Sequence, residues 1–62
     1  MKTLRFRYSL GREMSRWFNV SRDSSGNLTT SQYRADIMTP TELETAKDEI
    51  ASMDFPCLEF EY

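Results

Sequence analysis

Between Thr39 and Met53 the apolar side chains Leu43, Ala46, Ile50 and Met53 recur at helical spacing. Glu42, Glu44, Thr45, Asp48, Glu49 and Ser52 fall between them, so the pattern predicts one helix with a single apolar stripe. Its start is marked several times over. Thr39 is a good N-cap, and Glu42, three residues on, completes a capping box. Pro40 stands at the first helical position, where its missing N–H costs nothing. Met38 and Leu43 occupy the two positions of a hydrophobic staple. Pro56 closes the pattern and pushes Phe55 toward extended geometry.

The rest of the chain alternates with period two. In residues 2–9, Leu4, Phe6 and Tyr8 share one face and Thr3, Arg5 and Arg7 the other, as in a half-buried strand. Ser9-Leu-Gly-Arg12 reads as a turn, with Gly11 free to take positive φ. Residues 13–22 admit two readings. As a strand they send Met14, Phe18 and Val20 inward and Trp17 and Asn19 outward, and Arg16 must then lie at a sheet edge or beside a bulge. As a helix, residues 12–18 gather Met14, Trp17 and Phe18 into a short patch. The strand is preferred because Trp-Phe-Asn-Val is β-favouring and runs into a turn. That turn, Asp23-Ser-Ser-Gly-Asn27, is the strongest in the chain. Residues 28–37 return as a third strand with Tyr33, Ala35 and Ile37 on one face. Leu28 has the opposite parity, which marks packing at the turn or a shift of register. Residues 57–62 alternate again, with Leu58, Phe60 and Tyr62 opposed to Cys57, Glu59 and Glu61.

The order β-β-β-α-β predicts a small α+β domain. Three strands form an antiparallel meander, and the helix then carries the chain across to a fourth. Placing that strand beside the first, and parallel to it by a right-handed crossover, gives a mostly antiparallel sheet of order 3-2-1-4. One helix covers one face, and the other stays open.

Length changes the energetics. Sixty-two residues make a single domain that buries a modest share of its surface, so help from a partner is expected. No apolar run is long enough to span a membrane, and the N-terminus has no signal-peptide pattern. With one cysteine, the expected setting is a reducing cytoplasm, where the sequons at Asn19 and Asn27 are chance matches. Charge is uneven along the chain. Residues 1–38 carry seven basic against three acidic side chains, net +4, and residues 39–62 carry one against seven, net −6. Attraction between the halves of one fold is the simpler meaning of that asymmetry.

The residue inventory argues against catalysis. There is no histidine, which removes the commonest general base and metal ligand and any Ser-His or Cys-His pair. One cysteine cannot build a zinc site, and two isolated glycines make no phosphate loop. Neither a cofactor nor a metal is expected. Cys57 is read as a small half-buried strand residue whose acidic neighbours disfavour the thiolate. Glu59 and Glu61 share a face without a pocket to separate their pKa values, so ion pairs with Arg5 and Arg7 are preferred to acid–base work.

The candidate binding residues are therefore Arg5, Arg7, Trp17, Asn19 and Arg34, all expected on the uncovered sheet face. Trp and Arg are the types most enriched at binding hot spots. Stacking of Arg5 or Arg7 on Trp17 would instead make the face self-sufficient. The expected function is a non-enzymatic protein-interaction module that forms a homodimer or docks on a larger protein. Small accessory chains of phages and mobile elements act in this way. The alternative is single-stranded nucleic-acid binding through the same Arg/Trp face, against which stand the acidic pI and the two glutamates.

Overall fold

The computed structural model describes residues 2–62. Six short strands and one helix follow in order: β1 (Arg5–Arg7), β2 (Ser9–Leu10), β3 (Glu13–Met14), β4 (Phe18–Arg22), β5 (Leu28–Ser31), α1 (Pro40–Ala51) and β6 (Glu59–Glu61). The main sheet has the order β5-β4-β1-β6, and β2 pairs with β3 in a separate two-stranded ladder. In terms of the expected strands this is the order 3-2-1-4, with one helix packed against the sheet.

The long first hairpin is one ribbon with a defect. Phe6 faces Phe18 at one end and Ser9 faces Met14 at the other. Arg7 and Tyr8 thus oppose three residues, Ser15, Arg16 and Trp17, which is the count of a β-bulge. The Tyr8 N–H donates to Ser15 Oγ at 3.0 Å and the Ser15 N–H to the Tyr8 carbonyl at 2.7 Å, closing the gap. Residues 12–18 are therefore turn, strand and bulge, not helix, and Arg16 sits in the bulge. Met14 lies beyond the defect and is exposed, not inward-facing as its parity suggested. Gly11 supplies φ +63° at the tip of the two-residue turn.

The second hairpin closes on Asp23, whose Oδ1 accepts from the N–H groups of Ser25 and Asn27. Gly26 takes φ +84° there. The strand that follows is shorter than its pattern. It ends at Ser31, and Tyr33 and Ile37, expected on a sheet face, are 90% and 66% exposed. Leu28, of the opposite parity, is the residue that packs on the core.

Residues 32–38 instead double back. The Asp36 N–H donates to the Val20 carbonyl at 3.2 Å, and Lys2 and Met38 exchange both backbone bonds. This segment fills the opening between the start of the first hairpin and the end of β4. Its reversal decides the direction of everything after it. The helix starts where β1 starts, runs up the sheet, and delivers β6 back down beside β1. Arg5 pairs with Glu61 and Arg7 with Glu59, so β6 is antiparallel to β1 and the expected parallel crossover does not occur.

The helix obeys its start signals. Thr39 Oγ1 accepts from the Glu42 N–H at 3.2 Å, and Glu42 Oε1 accepts from the Thr39 N–H at 2.9 Å. Leu43, Ala46 and Ile50 are buried, with Met38 beside them. The helix stops at Ala51, so Met53 leaves the stripe and is 56% exposed. Asp54 and Cys57 then take φ +58° and +50°, and the turn they make swings Phe55 onto the sheet. There Phe55 meets Tyr8 and Phe6 at centroid distances of 4.8 and 5.5 Å. The core is Leu4, Phe6, Val20, Met38, Leu43, Ala46 and Ile50, one helix stripe against one sheet face.

The capping box makes a pH prediction. The bond from the Thr39 backbone N–H, then that with its hydroxyl, holds the Glu42 carboxyl below its ordinary range. A carboxyl lowered in the folded state contributes stability that is present above its unfolded pKa and lost as pH falls through the folded one. Thr39→Ala is expected to cost about 1 kcal/mol at neutral pH. Glu42→Gln, which removes the titrating carboxyl while Thr39→Ala keeps the backbone N–H that holds it, should flatten the acid limb of the stability profile, measured by urea unfolding between neutral and acid pH. An unchanged acid limb would contradict the role given to Glu42.

Candidate functional site

The face of the sheet away from α1 is built by register. Arg5 and Arg7 point outward from β1 because Leu4 and Phe6 point inward. Directly across β1, Glu61 and Glu59 occupy the same face of β6. Arg5 Nη2 is ion-paired with Glu61 Oε1, and Arg7 Nε donates to Glu59 Oε2 at 2.6 Å. On the other side of β1 the bulge turns Trp17 over the two arginines. Their guanidinium carbons lie 4.7 and 4.5 Å from the ring centroid. The result is a ladder in which one aromatic ring rests on two cations and each cation is held by a carboxylate.

Asn19 belongs to this face beside Arg5, with which it is in register. Further out, the hydroxyls of Ser21 and Thr29 share a hydrogen bond at 2.8 Å. Arg34 does not join. It was expected on the third strand, but that strand ends at Ser31, and Arg34 is exposed in the segment that doubles back. Four of the five candidate residues are thus brought together and one is not.

Charge on the ladder balances, two arginines against two glutamates. Each ion pair is part-exposed and contributes about 0–1 kcal/mol, and each cation–π contact about 0.5–1 kcal/mol. Together they seat Trp17 against both guanidinium groups.

Cys57 also departs from its expected place. It is exposed in the turn before β6 and does not lie on the strand with the glutamates. Among the described residues, no group of three or more His, Cys, Asp or Glu side chains is placed to hold a metal, and no helix is long and apolar enough to cross a membrane.

A second feature escaped the sequence. On the helix side, beside β5, a cleft of about 350 Å³ is lined by Phe18, Leu28, Thr30, Ile50, Met53 and Phe55, among others. The odd parity of Leu28 was the one signal of it. Compared with known proteins, the chain matches no family model, no curated protein and no solved structure.

Proposed function

We propose that this chain is a small non-enzymatic protein-interaction module of the cytoplasm that docks on a larger protein through its open sheet face. The observation that supports the reading is Trp17 seated on Arg5 and Arg7, each braced by a glutamate; the same stacking fits a self-sufficient face, and the Trp17→Ala comparison below separates the two. Hot spots are enriched in Trp and Arg, and ordering them in advance lowers the entropic cost of binding. The partner surface that fits is a protein patch with an apolar centre for the ring and mixed charge around it, because the ladder itself carries no net charge. A polyanion fits worse. Nucleic-acid affinity comes from unspent cations, and both arginines here are already paired.

The experiment is capture by the tagged chain, run in parallel with Trp17→Ala. The expected result is one protein retained in stoichiometric amount, lost with Trp17→Ala and only mildly weakened by salt. Equal retention by Trp17→Ala would remove the face from the account. Tight binding of a short single-stranded oligonucleotide, falling steeply with salt, would replace the protein reading with the nucleic-acid one.

A further inference from the structure

The two edges of the main sheet differ. At the β6 edge Glu59 and Glu61 flank Phe60, and the Lys47 ammonium lies over the Phe60 ring at 5.5 Å. Charged side chains are the usual guard against edge-to-edge pairing. At the other edge β5 reads Leu28-Thr-Thr-Ser31, with no charge and no proline.

The free backbone groups of β5 can be assigned from its neighbour. Val20, opposite Thr30, donates its N–H to the Leu4 carbonyl at 2.9 Å and accepts from the Asp36 N–H. Arg22, opposite Leu28, donates its N–H to Asp36 Oδ2 at 3.1 Å. Both residues of β4 therefore direct their backbone away from β5. In an antiparallel ladder bonded and non-bonded pairs alternate, so Thr29 and Ser31 bond to β4 while Leu28 and Thr30 turn their N–H and C=O groups outward. The side chains of Leu28 and Thr30 face the helix side and line the apolar cleft.

We infer that β5 is the seam along which two copies of this chain pair, antiparallel about a two-fold axis at Thr29, to make one eight-stranded sheet. Leu28 of one copy then opposes Thr30 of the other, and the reverse, which satisfies all four sets of outward groups. The edge is self-complementary because it is uncharged, whereas two β6 edges would set carboxylate against carboxylate. The same operation brings the two clefts together, where the Leu28 and Met53 side chains of both copies fill them. The gain in buried apolar area is what a chain with so small a core needs. The seam involves none of Trp17, Arg5 and Arg7, and Thr29 at its axis touches only the outer margin of the open face, so it stands independently of the docking reading.

Sedimentation equilibrium tests it. The wild-type chain is expected to dimerise with Kd below about 1 mM. Thr29→Lys, which places like charges at the axis, should weaken dimerisation at least tenfold, and Trp17→Ala should leave it unchanged. Hydrogen exchange of the wild type needs no variant: the Leu28 and Thr30 amides should slow as concentration rises. A monomer at every concentration would overturn the inference. So would a dimer indifferent to Thr29→Lys, one lost with Trp17→Ala, or one in which those two amides exchange at a concentration-independent rate.

Discussion

Phe6→Ala is expected to abolish the cooperative fold at room temperature. Phe6 is 3% exposed at the centre of β1, and its ring meets Phe18 at 5.4 Å and Phe55 at 5.5 Å. It joins the sheet to the turn that ends the helix. Truncating a buried phenylalanine costs about 3–5 kcal/mol. A single core in a chain of this size supplies roughly 3–5 kcal/mol in total. The loss therefore matches the whole stability. Circular dichroism and urea unfolding give the readout, and a sigmoidal transition with an unshifted midpoint would contradict the central place of Phe6 in the core.

Trp17→Ala should behave differently although it removes a larger side chain. The ring rests on two partly exposed guanidinium groups and is absent from the buried core. Loss of two exposed cation–π contacts amounts to about 1–2 kcal/mol, so the variant should stay folded with a lowered urea midpoint. Its effect on docking should be greater in kind. A hot-spot truncation of about 2 kcal/mol weakens affinity roughly 30-fold. Trp17→Phe keeps a weaker ring over the arginines and should fall between the two. If Trp17→Ala unfolds as Phe6→Ala does, Trp17 is a structural residue and the open face is not a binding surface.

Local signals were legible in the sequence where they stood alone. Thr39, Pro40 and Glu42 mark the helix start, and Gly11, Asp23 and Gly26 mark the turns. Each acts over a few residues and needs no tertiary context. That Glu59 and Glu61 pair with Arg5 and Arg7 could also be read from strand order and side-chain parity, whereas which glutamate meets which arginine depends on the antiparallel direction of β6 and could not. What failed was the stretch of residues 32–38. Its alternation mimics a strand, yet Asp36 and Met38 are taken up by backbone bonds to Val20 and Lys2. Such long-range bonds leave no periodic trace. That one misreading put Arg34 on the candidate face and gave β6 the wrong direction.

The bulge shows the same limit. Parity made Arg16 an awkward inward residue, and the extra residue in the second half of the hairpin resolves it. The outward side of Trp17 and its stacking on an arginine were legible, and the register on both sides of the defect, Phe6 with Phe18 and Ser9 with Met14, adds the bulge that sequence parity alone did not locate.

Trp17 is the sole tryptophan of the chain, so its fluorescence reports on the open face alone. Acrylamide quenching, measured on the free chain and on its complex with the captured protein, tests the docking claim most directly. The account predicts partial quenching when free and strong protection in the complex. Equal quenching in both states would place the partner elsewhere and contradict it.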